Sequence, residues 1–267
     1  MAQMALPDQR NDIQFGGASA NVNQSCRAAD GLPECANSKA LVLLSGGVDS
    51  TVLAHRLKED GRLAWAVSFN YGQRNARNEL GCALQCARRL DVPLEVVELR
   101  DAGRRFRRSA LTGVTPVPDG YYTEPSMRRT LVPMRNPILL CHAFGVAAER
   151  DLNVVAIAVH GDDHFIYPDC RPRFIKSFQS MSGLALDGVA KIELETPFLT
   201  WRKADIVRLG TLVGVSFTET WSCYKELDLH CGRCGACMAR REAFDIGGIE
   251  DPTPYADPNY WWDARPL

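Results

Sequence analysis

Ala40-Leu41-Val42-Leu43-Leu44-Ser45-Gly46-Gly47-Val48-Asp49-Ser50-Thr51 decides the fold. Five apolar residues in a row suit a strand buried on both faces, and the glycine pair permits a tight turn. The following TVLAHRLKEDG (51–61) carries a helical pattern closed by Gly61. A strand that passes through a glycine turn into a helix N-terminus is a ready anion site. The unpaired N–H groups of the first turn and the helix dipole both favour negative charge, and the hydroxyls of Ser45, Ser50 and Thr51 add donors. No GK[ST] follows, so the Walker form is excluded.

Outward from this stretch, strands and helices alternate. LAWAVSFNY (63–71) reads as a second strand, followed by GQR and a helix from about Asn75 to Leu90; Pro93 precedes a third strand, LEVVEL (94–99). Residues 101–135 show no clear period and read as a long irregular connection. A helix from about Pro137 to Arg150 precedes the strand NVVAIAVH (153–160), and a helix from about Pro172 to Leu184 precedes IELETPFL (192–199). Arg202 to Val213 is helical again. This alternation predicts parallel βαβ units and a doubly wound, mostly parallel sheet over residues 39–216. Ligands in such sheets bind at the carboxyl ends of the strands near the switch point, so Ser45–Ser50, Asn70–Arg74 and His160–Arg171 are expected to meet in one crevice. Residues 1–38 are rich in Ala, Asn, Gln, Gly and Ser and are read as a disordered tail.

With 267 residues, 46% hydrophobic and 24% charged, the chain can bury a full core. Thirty-one Lys+Arg against 32 Asp+Glu leave a formal charge of −1, which disfavours a globally basic nucleic-acid binder. The longest apolar stretch, Ile138 to Ala148, is too short to span a bilayer, and MAQMALPDQRNDIQF has neither the basic nor the apolar part of a secretory signal. A soluble, cytoplasmic protein with no membrane partner is expected. Four of the ten cysteines crowd into one segment, Cys223-x7-Cys231-x2-Cys234-x2-Cys237. In a reducing compartment this spacing reads as a metal site, and four soft ligands with Gly232 and Gly235 between them suit structural, tetrahedral Zn²⁺. An iron–sulfur cluster is the competitor, but the fourth Cys and the Pro of the ferredoxin run are missing. The cluster is assigned to a C-terminal region, 217–267.

SGGVDS after an apolar strand resembles the PP-loop of ATP pyrophosphatases, the adenine nucleotide alpha hydrolase-like fold, which hold the β,γ-pyrophosphate and cleave ATP between its α and β phosphates. Together with the cysteines, FNYGQR (69–74), TPVPDG (115–120), LVPMRN (131–136), YPDCR (167–171), ETPFLTWRKADIV (195–207) and ETWSCY (219–224) resemble the QueC family of 7-cyano-7-deazaguanine synthases in queuosine-precursor biosynthesis. The resemblance runs from about 40 to 257. It implies an ATP-dependent ligase that adenylates 7-carboxy-7-deazaguanine, lets ammonia displace AMP to give an amide, adenylates the amide oxygen in turn and releases the nitrile. A homodimer with one zinc per chain, Mg²⁺ accompanying ATP, and no stable nucleic-acid partner are the further expectations.

Matching the motifs assigns Leu44, Ser45, Gly46, Gly47, Val48, Asp49, Ser50 and Thr51 to the ATP phosphates. Catalytic roles fall on Asp49, Arg74, Arg135 and Lys203, the last neutralising phosphate charge from a helix start. Tyr71, Gln73, Asn136, Asp162, Tyr167, Asp169 and Arg171 are assigned to the deazaguanine or its carboxylate, because a guanine-like edge wants an acidic acceptor and a carboxylate wants a cation. Cys223, Cys231, Cys234 and Cys237 would hold the metal. His160 and His164 are read as satisfied polar histidines and Cys170 as a small apolar filler. Where the family pattern has VPGRN this chain reads VPMRN, with Met134 in place of a glycine that would allow positive φ or close approach. Rival readings are transfer of the same acyl adenylate to another amine, a PP-loop tRNA-modifying enzyme carrying Fe–S, and a zinc-stabilised binding module without turnover.

Overall fold

Burial alternates along the first strand in a way that demands two layers of helices. Ala40, Val42 and Leu44 pack on one side, and Leu41 and Leu43 on the other, all at 7% exposure or less. The structure, a computed structural model, describes residues 38–121 and 127–264; the tail expected at 1–38 lies outside the described residues except for Ser38. Five strands, β1 (Ala40–Leu43), β2 (Leu63–Asn70), β3 (Leu94–Glu98), β4 (Val154–Ala156) and β5 (Glu193–Glu195), form one parallel sheet in the order β3-β2-β1-β4-β5. The helices are α1 (Val48–Glu59), α2 (Ala76–Arg89), α3 (Arg100–Gly103), α4 (Arg135–Glu149), α5 (Pro172–Ala185), α6 (Lys203–Leu212), α7 (Gly235–Gly247) and α8 (Tyr260–Ala264). Buried side chains of α1, α2, α6 and α7 share a core with one face of β1, and those of α4 and α5 with the other. The doubly wound α/β fold expected from the alternation is present. Its strand order reverses between β1 and β4, and that is where the crevice opens.

Three departures from the expected elements have local causes. β5 stops at Glu195 because Pro197 has no N–H to donate to a ladder. β4 is only three residues long; beyond Ala156 the Ile157 N–H still bonds Glu195 O at 3.0 Å, and the chain then runs along the crevice wall, with Gly161 N–H on Trp201 O at 2.8 Å. α4 begins at Arg135, two residues before the expected start, because Met134 adopts φ 60° and ψ 21° and so starts the helix. Its carbonyl accepts the Ile138 N–H at 3.1 Å, and the Asp169 carboxylate accepts the Asn136 N–H at 3.0 Å. Among the described residues of 101–135, most are irregular, as expected, apart from α3, a helical Met127 and a 3₁₀ turn at Arg128–Thr130.

The segment beyond Ser216 joins the same core. Phe217 and Phe244 meet edge to face at 4.9 Å. The fully buried Arg240 donates to Thr220 Oγ1 (2.8 Å), Phe217 O (3.0 Å) and the Asp251 carboxylate (3.2 Å), so its charge is paired and its donors are occupied. Among the described residues no helix is long and apolar enough to cross a membrane.

Candidate active site

The turn after β1 is organised by its own hydroxyls. Ser50 Oγ accepts the Ser45 N–H (3.2 Å), donates to Gly47 O (3.2 Å) and lies 3.0 Å from Ser45 Oγ. No side chain caps the N-terminus of α1 at Gly47, which leaves the first-turn N–H groups directed at the crevice. Gly46 has φ +79°, and a Cβ there would lie 2.3 Å from Glu79 O, so only glycine lets α2 cross behind the turn. The crevice has a volume of about 620 Å³ and runs from this turn past the ends of β2 and β4.

Charges gather at its centre. The Lys203 ammonium, at the start of α6, donates to Asp49 Oδ2. His160, 4% exposed, places Nε2 3.6 Å from the same oxygen and 3.5 Å from Asp163 Oδ2. Burial works against the charge of Asp49, but Lys203 and His160 outweigh it and hold this carboxyl well below the usual carboxylate range. Burial likewise opposes a charged His160, yet the Asp163 and Asp49 carboxylates raise its pKa. Asp49 Oδ1 and His160 Nδ1 are buried without a hydrogen-bond partner, and both residues line the crevice. Asp162 accepts the Lys203 N–H at 2.8 Å and so fixes the helix end that carries the ammonium.

Another part of the crevice wall is aromatic and cationic. Tyr71, Arg135, Tyr167 and Tyr224 line it, with Cζ of Arg135 5.5 Å from the Tyr167 ring and Tyr167 Oη 2.9 Å from Thr130 Oγ1. Burial pushes the Tyr71 hydroxyl up to about 12, although the Arg135 guanidinium bonded to it pulls the other way. Burial also pushes up the Cys170 thiol, whose Sγ accepts from Asn136 Nδ2 at 3.4 Å, so this residue fills space as a thiol. Glu79, from the first turn of α2, lines the same wall; burial raises its carboxyl against the amide donors of Gln73 and Asn75.

Of the residues singled out from the sequence, Leu44, Ser45, Gly47, Val48, Asp49, Ser50, Tyr71, Gln73, Arg135, Asn136, Asp162, Tyr167 and Lys203 all line this one crevice. Gly46, in the turn, and Thr51, in the first turn of α1, are off this wall. Three of the assigned residues lie off this wall. The Arg74 guanidinium is taken by the carbonyls of Ala110 (2.9 Å), Gly113 (2.7 Å) and Thr115 (3.1 Å), so it clamps the long connection and is absent from the wall. Asp169 is likewise off the wall, with its carboxylate on the α4 N-terminus. Arg171 is exposed and donates to His164 O at 2.7 Å. His160 was read as a satisfied polar histidine; its place between Asp49 and Asp163 makes it part of the charged centre. Two further residues line the crevice without an assignment from the sequence: Glu79, about one helical turn past FNYGQR, and Tyr224, the last residue of ETWSCY.

The four cysteines Cys223, Cys231, Cys234 and Cys237 are buried, and their sulfurs all lie within 4.8 Å of one another, a group able to hold a metal ion. Backbone N–H groups point at two of them: Lys225 and Cys231 toward Cys223 Sγ (both 3.4 Å), Arg233 and Cys234 toward Cys231 Sγ (3.4 and 3.2 Å). Such donors favour the thiolate, the form that ligates metal.

A parallel α/β sheet with an uncapped, hydroxyl-rich turn at its switch point and a buried lysine–carboxylate–histidine centre beside it defines a doubly wound α/β protein with one ligand-sized crevice. The model of the queuosine biosynthesis protein QueC family matches residues 39–248, and the chain belongs to that family. It is 54% identical over 84% of its length to the 7-cyano-7-deazaguanine synthase of Rhizobium meliloti (strain 1021), covering 94% of that protein. It is 53% identical over 84% of its length to the enzyme of the same name from Ruegeria sp. (strain TM1040), covering 95% of it. Among solved structures, an NMN synthetase from Francisella tularensis is similar at 16% identity with a TM-score of 0.45, over 86% of this chain and 87% of that one.

Proposed function

We propose that the chain converts 7-carboxy-7-deazaguanine and ammonia to 7-cyano-7-deazaguanine with cleavage of ATP to AMP and pyrophosphate. The observation that carries this reading is the continuity of the crevice: the bare N-terminus of α1, the Lys203–Asp49–His160 centre and the aromatic, arginine-bearing part form one wall. ATP would set its β and γ phosphates on the turn, with Lys203 offsetting their charge, and the flat bicyclic acid would enter among Tyr71, Tyr167 and Tyr224. The acid's carboxylate oxygen attacks the α-phosphorus and pyrophosphate leaves; ammonia then displaces AMP to give the amide. The amide oxygen is adenylated in the same way, and loss of AMP with a proton from nitrogen leaves the nitrile. The protein's contribution is positioning and cationic stabilisation of phosphate charge. Mg²⁺ would come with ATP and neutralise the phosphates.

Zn²⁺ is the metal that the cysteine cluster fits. Bonds of about 2.3 Å in a tetrahedron require sulfurs roughly 3.8 Å apart, and three of the pairs stand at 3.6, 3.8 and 4.0 Å. Four ligands close the coordination sphere, so the role is structural. A homodimer and a cytoplasmic location belong to the same reading.

The test incubates the purified protein with ATP, Mg²⁺ and 7-carboxy-7-deazaguanine, with and without ammonium, and follows products by mass spectrometry. AMP together with the nitrile, dependent on ammonium, is the expected result. AMP with the amide but no nitrile would overturn the second step, and no AMP under any condition would overturn the whole reading.

A further inference from the structure

A guanine-like ring presents two adjacent donors, N1–H and the 2-amino group, beside one acceptor, the 6-oxo oxygen. A protein that reads this edge needs a carboxylate next to a donor. The acids assigned from the sequence are engaged elsewhere: Asp162 holds the Lys203 N–H at 2.8 Å, and Asp169 holds the Asn136 N–H at 3.0 Å from outside the crevice. Glu79 is placed differently. It lines the crevice wall on which Tyr71 and Arg135 stand, and its carboxylate is aimed by two amides, Gln73 Nε2 to Oε2 and Asn75 Nδ2 to Oε1, each at 3.0 Å.

Those amides are themselves anchored. Gln73 Nε2 also donates to Phe69 O at 3.0 Å and its Oε1 accepts the Tyr71 N–H at 3.0 Å, while Asn75 Nδ2 donates to Cys223 O at 2.8 Å. An ionised carboxylate offers about four acceptor positions. The two amides occupy one on each oxygen, and a second on each remains for a ligand. On the same wall the Tyr71 hydroxyl and the Arg135 guanidinium supply donors for an oxo oxygen.

The geometry points to Glu79 as the specificity-determining residue of the crevice, accepting from N1–H and the 2-amino group of the base while the Tyr71–Arg135 pair faces the 6-oxo oxygen. This rests on the reading of the substrate as a 7-deazaguanine acid, and it makes the protein a reader of the 2-amino-6-oxo edge. The 7-carboxylate is then free to point toward the phosphate turn. A site built to pair a buried polar group rejects a ligand that leaves that group unpaired more strongly than it rejects a change of apolar volume.

Titration calorimetry and turnover with two acids decide it: 7-carboxy-7-deazaguanine and the analogue lacking the 2-amino group. Wild-type protein is expected to bind the analogue about 5- to 150-fold more weakly, the range for one hydrogen bond lost at a buried acceptor. In Glu79→Gln the ratio should fall toward one, with KM for the acid raised and KM for ATP unchanged. A general disturbance of the loop would weaken both acids alike and leave the ratio intact. Glu79→Asp keeps the charge, should lower the ratio less, and decides the matter if Glu79→Gln does not fold. Equal binding of the two acids by wild-type protein, or a folded Glu79 variant with the wild-type ratio, overturns the inference while ammonium-dependent nitrile formation still stands. Absence of turnover with the deazaguanine acid overturns the proposed function and this inference with it.

Discussion

His160 and Met134 show how much a single position can carry. His160 sits between Asp49 and Asp163 with a raised pKa. Between its unfolded value near 6.5 and the higher folded value, the native state binds more protons than the unfolded chain. The stabilisation is therefore fully present below pH 6.5 and is lost as pH rises through the folded pKa. Melting temperatures of nucleotide-free wild type and His160→Asn across pH 6 to 9 should converge toward alkaline pH; parallel curves would refute the ion pairing. Met134 holds a left-handed backbone at φ 60° with its side chain 64% exposed and off the crevice wall. An L-residue there costs about 1–2 kcal/mol, partly offset by the entropy that a glycine loses on folding. Met134→Gly is thus expected to stabilise by about 0.5–1 kcal/mol, a rise of roughly 1–4 °C in Tm, with KM for both substrates unchanged. A lower melting point by calorimetry would contradict this.

Between elements, the contact that matters most is β1–turn–α1 against α2. Gly46 leaves no room for a Cβ: Glu79 O would be at 2.3 Å, Ala83 N at 2.7 Å and Cys82 Cβ at 2.9 Å. Gly46→Ala should therefore force the turn away from α2, costing more than about 2 kcal/mol and weakening ATP binding at least tenfold. Gly61→Ala is the internal comparison. Gly61 also has positive φ, +69°, but nothing lies within 4 Å of its missing Cβ, so only the backbone strain of about 1 kcal/mol is expected and ATP binding should be unaffected. Equal losses in the two variants, by chemical denaturation and nucleotide titration, would mean that the close approach of α2 is unimportant. Element types were legible because apolar period and punctuation speak locally: ALVLL, LAWAVSFNY and LEVVEL became β1 to β3 nearly as read. The lengths of β4 and β5 were not, because a strand ends where its partner does or where a proline removes a donor.

For the whole molecule, the four-cysteine group and the turn after β1 are joined through Trp221–Tyr224. Trp221 N–H donates to Gly46 O at 2.9 Å, Asn75 Nδ2 to Cys223 O at 2.8 Å, and Ser222 and Tyr224, the neighbours of Cys223, line the crevice. Removal of the metal by a thiol-competent chelator should release this wall. We expect a loss of several kcal/mol, a fall in Tm of roughly 10 °C or more at 2–4 °C per kcal/mol, and a parallel loss of ATP affinity. Restoring Zn²⁺ should recover both. A chelated protein that melts as before and binds ATP as before would show that the crevice does not depend on the cluster.

The apolar runs, the glycine turn and the cysteine spacing determined by themselves the parallel α/β class, the uncapped turn after β1 and the four-sulfur group, because each depends on residues close together in the chain. They also brought thirteen expected side chains to one crevice, since strand ends in such a sheet must meet at the switch point. Tertiary structure alone decided which neighbouring charges turn inward. Asp162 and Asp163 adjoin, yet one fixes the start of α6 and the other faces His160. Arg74 and Asp169 stand within motifs but bond to carbonyls and an N–H of distant segments, Arg171 turns back to the His164 carbonyl, and Glu79, about one helical turn past its motif, reaches the wall. The physical reason is that a polar side chain goes where its hydrogen bonds can be completed, and those partners come from elsewhere in the chain.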